Sequence, residues 1–206
     1  MYTEILGKAT AHGMELLAPL KEIASFYLAG GTGLALQLGH RHSLDLDFFS
    51  HKEFSPDQLV TLLARHGKFS LESKEEGTLH GMFEGAKLTF LYYPYKLLFP
   101  CVKASGILIA NVRDIGCMKL DAASSRGTRK DFIDLWFLLQ SISLVELLAL
   151  FEKKYKKVDY NLGHVLKSLV YFKDAEQEPD PVMLLPYSWK KVKQDLEAKV
   201  KEIAKV

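Results

Sequence analysis

Two short stretches hold most of the chemistry this chain can offer. They are Gly30-Gly31-Thr32-Gly33 and, one short helix later, Ser43-Leu44-Asp45-Leu46-Asp47-Phe48-Phe49. The first is a tight glycine turn whose backbone amides can cradle phosphates where a helix begins. The second sets two carboxylates one residue apart in an apolar strand pattern. Side chains at i and i+2 of a strand point the same way, so Asp45 and Asp47 converge on one spot. Like charges side by side destabilise a strand unless a cation sits between them. Mg²⁺ with a nucleoside triphosphate is the usual occupant of such a pair.

The residues around the turn discriminate among three phosphate sites. A dinucleotide fingerprint needs a third glycine where Leu36 stands, and Asp45 follows Gly33 too soon to be its ribose-binding acid, which sits about 20 residues on. A Walker A loop needs Gly-Lys-Ser/Thr, which is absent. A glycine turn, a short helix and a strand bearing Asp-x-Asp fit every residue. Just ahead of the aspartates, Arg41 can neutralise a triphosphate, and Ser43 can donate to a phosphate oxygen or fix the strand's entry. His40 and His42 lack partners at a metal-binding spacing and read as polar loop residues.

These residues need elements to hold them. Apolar spacing predicts an opening helix over 3–25, then a short strand over 26–29 running into the glycines. A helix over 32–38 follows, capped by Thr32, and a strand over 44–50 with Leu44, Leu46 and Phe48 facing inward. A helix over 56–66 starts at the Ser55-Pro56 boundary. Runs 69–73, 78–83 and 86–93, turned at Gly77 and Gly85, read as an antiparallel meander, with one more strand over 106–110. Beyond Asn111 the period is helical, with helices expected at 112–125, 129–140, 144–155, 162–172 and 189–205. The loop over 176–186 contains three prolines.

A second cluster lies in that helical half. Lys119 stands among Ile115, Met118 and Ala122 on one helical face, where a lysine either snorkels to water or reaches a phosphate. Arg129, Lys130, Asp131 and Asp134 open the next helix. Carboxylates there complement the helix dipole, which accounts for one acid but not for the whole basic-acidic group.

Composition narrows the class. An apolar content of 48% with 25% charged residues is that of an ordinary globular protein. A net charge of +2 is too small to argue nucleic-acid binding, and the lysine runs at 153–157 and 190–205 read as solvated helix faces. Cys101 and Cys117 form neither a metal motif nor a disulfide framework. With no signal-like start and no apolar run near the roughly 20 residues of a membrane span, a cytoplasmic location without membrane contact is expected.

Taken in order, Gly30-Gly31-Thr32, then Arg41-x-Ser43-x-Asp45-Leu46-Asp47-Phe48-Phe49, then Lys119 and Arg129-Lys130-Asp131-x-x-Asp134-Leu135 resemble the motifs of the AbiEii/AbiGii toxin family. These are minimal nucleotidyltransferases of the DNA polymerase β-like superfamily. The resemblance runs over about 28–139. It implies an α+β fold, a small mixed sheet with flanking helices followed by a helical C-terminal region. Residues 1–111 would be the nucleotidyltransferase core, and 112–206 would complete its active site.

The resemblance also implies roles. Gly30, Gly31 and Thr32 would bind the nucleotide with Arg41, Ser43, Arg129 and Asp134. Asp45 and Asp47 would hold Mg²⁺ or Mn²⁺, Lys119 would touch phosphate or the reacting hydroxyl, and Asp131 would complete the pocket. The reaction implied is transfer of a nucleoside monophosphate from a nucleoside triphosphate to a hydroxyl of tRNA, another RNA or protein. Many relatives act as toxins beside a DNA-binding antitoxin. One departure stands out: a third carboxylate is usual on a later strand, and the corresponding place holds Thr89. Glu84 lies across a glycine turn from it, and Asp131 is the substitute offered by the helical half. An inert nucleotide-binding or regulatory module of the same fold, or phosphoryl transfer, are the alternatives.

Overall fold

The computed structural model describes residues 1–158 and 160–204. Its strands are β1 (Tyr27–Leu28), β2 (Leu46–Ser50), β3 (Phe69–Glu75), β4 (Thr78–Phe83), β5 (Ala86–Tyr92), β6 (Val102–Ala104) and β7 (Ile107–Ile109). They form one seven-stranded sheet in the order β3-β4-β5-β2-β1-β7-β6. The β3-β4-β5 portion is the expected meander, turned at Gly77 (φ +71°) and Gly85 (φ +81°), where only glycine is unstrained. β2 runs parallel to β5 and antiparallel to β1, and β1 runs parallel to β7, so the sheet is mixed.

The helices are α1 (Lys8–Leu17), α2 (Gly30–Leu38), α3 (Pro56–His66), α4 (Val112–Ser125), α5 (Arg129–Leu138), α6 (Leu144–Lys154), α7 (Leu162–Ser168) and α8 (Trp189–Ile203). Polar caps start several of them. Ser55, Asn111, Thr128, Ser143 and Asn161 each accept from a backbone amide two or three residues on. One continuous apolar core joins sheet and helices, and it takes in Leu28, Phe48 and Phe90 from the strands and Ile115, Leu120 and Phe132 from α4 and α5. The α2 helix packs on both α4 and α5, which brings the second motif cluster up to the first. No helix among the described residues is long and apolar enough to cross a membrane.

Several boundaries differ from expectation. The opening helix is three pieces, because Gly7 is extended (ψ 156°) and Pro19 follows the end of α1. β6 lies between Pro100 and a turn at Ser105-Gly106, too short to show a period. α5 and α7 stop early, each tightening into i→i+3 bonds: Gln140 N–H to Phe137 O and Val170 N–H to Lys167 O. α8 ends at Ile203, and the expected end at 205 lies outside the described residues. β2 begins at Leu46, so Asp45 stands one residue ahead of it; Leu44 is 61% exposed instead of inward, while Leu46 and Phe48 are buried.

Candidate active site

The glycine turn sits over β2 by geometry that other residues could not copy. Gly30 has φ +60°, and a Cβ there would lie 2.8 Å from Asp47 Oδ2. A Cβ on Gly31 would collide with Arg41 Nη2. The Ala29 amide donates to the Asp47 carbonyl at 3.0 Å, locking the turn to the strand. α2 begins at Gly30 without a cap from any described side chain, so its first amides stay available to an anion. Thr32 is not the cap, and it does not line the cavity with Gly31. It is fully buried, and its hydroxyl donates to the Asp45 carbonyl and lies 2.8 Å from Ser43 Oγ. It therefore fastens the turn to the loop ahead of the aspartates, and Ser43 is engaged there with it.

Asp45 and Asp47 line one cavity of about 820 Å³. Burial, then the charge of Asp45, pushes the Asp47 carboxyl above the usual carboxylate range, with Lys119 and the Thr89 hydroxyl opposing. Thr89 is the register partner of Asp47 on β5, and His80 is the register partner of Thr89 on β4. Asp47, Thr89 and His80 thus form one row across three strands, and all three line the cavity. Among the described residues no group of three or more His, Cys, Asp or Glu gathers to hold a metal, so any metal reading rests on the aspartate pair.

Behind the cavity wall lies a buried ion-pair network. Asp134 receives Arg41 Nε at 2.7 Å and Nη2 at 2.9 Å, His40 Nε2 at 2.7 Å and Lys119 Nζ at 2.6 Å. Asp131 receives Lys119 Nζ at 2.8 Å, Arg126 Nε at 2.9 Å and the Thr128 hydroxyl at 2.7 Å. Burial alone would raise both carboxyls, but Lys119 with Arg41 holds Asp134 well below the usual range, and Lys119 with Arg126 holds Asp131 at about 2. A carboxylate so engaged is a poor base, which speaks against the expectation that Asp131 takes up the proton meant for a third carboxylate. His40 differs from its expected place as a polar loop residue: it is a buried partner of Asp134.

Other expected residues fall differently. Arg41 and Lys119 reach the cavity, yet their charge is already matched by buried acids. Arg129 turns away from the cavity. It bonds to Glu178 and Asp180 and lies 4.7 Å over the Trp189 ring, so its expected contact with nucleotide is not supported by its position. In its place Lys87, Arg126 and Lys130 line the cavity; Lys87 and Lys130 make no ion pair among the described residues, and the Arg126 side chain is 64% exposed. The far wall is the proline-rich loop at 179–182, held by His42 N–H to Val182 O at 2.8 Å and an Arg41–Met183 bridge. Sequence reasoning passed over His80 and Lys87. The signal was there: a two-residue turn at Glu84-Gly85 pairs Phe83 with Ala86 and so sets His80 opposite Thr89.

This architecture defines a nucleotidyltransferase fold, and known structures agree. The chain is similar to JHP933 from Helicobacter pylori, with TM-score 0.56 and 21% identity over 97% of this chain and 94% of that one. It is also similar to MenT4, a nucleotidyltransferase toxin from Mycobacterium tuberculosis, with TM-score 0.58 and 13% identity over 95% and 86% of the two chains. Identities this low speak for the fold alone. The family described as "Nucleotidyl transferase AbiEii toxin, Type IV TA system" matches residues 17–102 and 89–204, and the chain belongs to it. A relative in Aquifex aeolicus, the uncharacterized protein aq_aa25, is 40% identical over 206 residues, 96% of this chain and 97% of that protein.

Proposed function

We propose that the protein transfers a nucleoside monophosphate from a nucleoside triphosphate to a hydroxyl, releasing pyrophosphate, with residues 1–111 as the catalytic core and 112–206 completing the site. The observation that carries this reading is the Asp45–Asp47 pair beside the uncapped start of α2 in one large cavity. Their hard oxygen donors and the rise in Asp47 fit a divalent cation, Mg²⁺ or Mn²⁺. When bound, it would neutralise charge on the phosphates.

The chain's own residues divide the remaining work. Amides at Gly30 and Gly31 meet phosphate oxygens at the positive end of α2. Lys119 spends two ammonium protons on Asp131 and Asp134, which leaves one N–H for the cavity. Lys87 and Lys130 supply positive charge that no ion pair among the described residues cancels, and Arg126, although paired with Asp131, also lines the cavity. Arg41, His40, Asp131 and Asp134 act by holding Lys119 and the 40–43 loop in place, and Ser43 and Thr32 act by setting the strand's entry. The family's description supports a toxin role opposed by an antitoxin, and co-expression with a small DNA-binding protein encoded next to the gene tests that part.

Nucleoside triphosphates labelled at the α or the γ phosphate, with Mg²⁺ and tRNA, total RNA or lysate protein as acceptors, test the reaction. The α label is expected to move to acceptor while the γ label leaves as pyrophosphate. Movement of the γ label instead would establish phosphoryl transfer. Nucleotide binding without transfer would favour an inert module, the reading that Thr89 in place of a carboxylate supports.

A further inference from the structure

The site lacks an evident base, and the row Asp47–Thr89–His80 supplies one. We propose that His80 Nε2 accepts the proton of the attacking hydroxyl, the task for which position 89 has no carboxylate; this rests on the nucleotidyl-transfer reading above. The acids that could serve are otherwise engaged. Asp131 is saturated by Lys119, Arg126 and Thr128. Glu84 receives the Lys68 amide at 2.6 Å, beside the β4–β5 turn and away from the cavity lining. Asp180 pairs with Arg129 at 3.0 Å.

His80 is placed and oriented for the role. It lines the cavity one strand beyond Thr89, and neighbouring strands lie about 4.8 Å apart. Its Nδ1 is 3.3 Å from Thr89 Oγ1. With the Thr89 hydroxyl proton turned toward its register partner Asp47, Oγ1 keeps a lone pair to accept from His80 Nδ1–H. That order puts the imidazole proton on Nδ1 and the free lone pair on Nε2. In the step, Nε2 takes the hydroxyl proton as the oxygen's electron pair forms the bond to the α phosphorus. The bond from that phosphorus to the pyrophosphate oxygen breaks, and pyrophosphate leaves with the electrons. The imidazolium then returns its proton to solvent. Thr89 is a positioning residue in this arrangement.

His42 is the competing imidazole. It also lines the cavity, with Nδ1 3.0 Å from the Ile5 carbonyl, but it stands on the 40–43 loop and outside the strand row.

The test measures α-label transfer at saturating nucleotide for His80→Ala, His80→Gln, His42→Ala and Asp47→Asn, with nucleotide affinity from calorimetry and folding from thermal melts. For His80→Ala, kcat is expected to fall by about 100-fold or more with nucleotide affinity unchanged, and added imidazole to restore part of it. Imidazole should restore nothing to Asp47→Asn. If His80→Ala melts early, His80→Gln carries the same expectation without the rescue. Activity within about threefold of the parent in whichever His80 variant folds, alongside an inactive Asp47→Asn, overturns this inference alone. Loss and rescue at position 42 in place of 80 also overturns it. An active Asp47→Asn, or a parent protein that transfers no α label to any acceptor, overturns the underlying reading and this one with it.

Discussion

Asp134→Asn should be among the most damaging single changes outside the apolar core, although Asp134 lies behind the cavity wall. Its two oxygens accept four donors, from Arg41 twice, His40 and Lys119, and all these side chains are buried. An asparagine cancels the charge and turns one acceptor into an NH₂ facing donors. Arg41 and Lys119 would then be buried cations short of a counter-charge. Breaking a buried pair on one side costs about 3–5 kcal/mol. Against a total stability of about 5–15 kcal/mol this is a large share. For a chain of this size, about 2–4 °C of melting temperature per kcal/mol gives a drop of about 6–20 °C. Urea unfolding with a thermal melt measures it. Asp57→Asn is the control: its partner Lys74 and Asp57 are 43% and 77% exposed, and the loss there should be under about 1 kcal/mol. If Asp134→Asn is no worse than Asp57→Asn, the network does not hold the 40–43 loop as described.

Three further outcomes follow from the same geometry. Asp47→Asn should melt no lower than the parent, since it removes a charge disfavoured by burial and by Asp45, and should lose the Mg²⁺-induced rise in melting temperature that the parent is expected to have. Gly30→Ala forces a left-handed φ of +60° on a side chain 2.8 Å from Asp47 Oδ2. It should cost about 1–3 kcal/mol in urea unfolding and reduce transfer more than the melt explains; unchanged transfer would contradict the close approach. Acid should weaken the fold early. Asp131 at about 2 and Asp134 well below the usual range are lower folded than unfolded, so their contribution is full above the unfolded carboxylate value near 3.9 and is lost as pH falls through the folded values. Urea midpoints should fall between about pH 5 and pH 2, with a shallower fall in Asp134→Asn.

The local patterns were legible because they depend on neighbours in sequence. Strand alternation, the turns at Gly77 and Gly85, and the helix starts at Pro56, Val112 and Arg129 are each set within a few residues. The glycine turn and the aspartates were legible for the same reason. Charge partners were not. Arg41 and Asp134 lie 93 residues apart, and nothing local says that a cation beside Asp-x-Asp faces a buried acid and not a phosphate. Arg129 is the same case: its partners Glu178 and Asp180 arrive from the proline-rich loop, whose return to the cavity no periodicity announces. Thr32 read as a cap because its type fits one, yet the helix starts two residues earlier, where glycines allow it. His80 lay in between, reachable by extending the meander's register across one more strand.

The central claim is that Asp45 and Asp47 run nucleotidyl transfer in the cavity under α2. Transfer of α label to acceptor by the parent, Asp45→Asn and Asp47→Asn, each with its melt, tests it most directly. The expected result is label on acceptor with the parent and none with either variant, both remaining folded. Undiminished transfer by both folded variants would contradict the account.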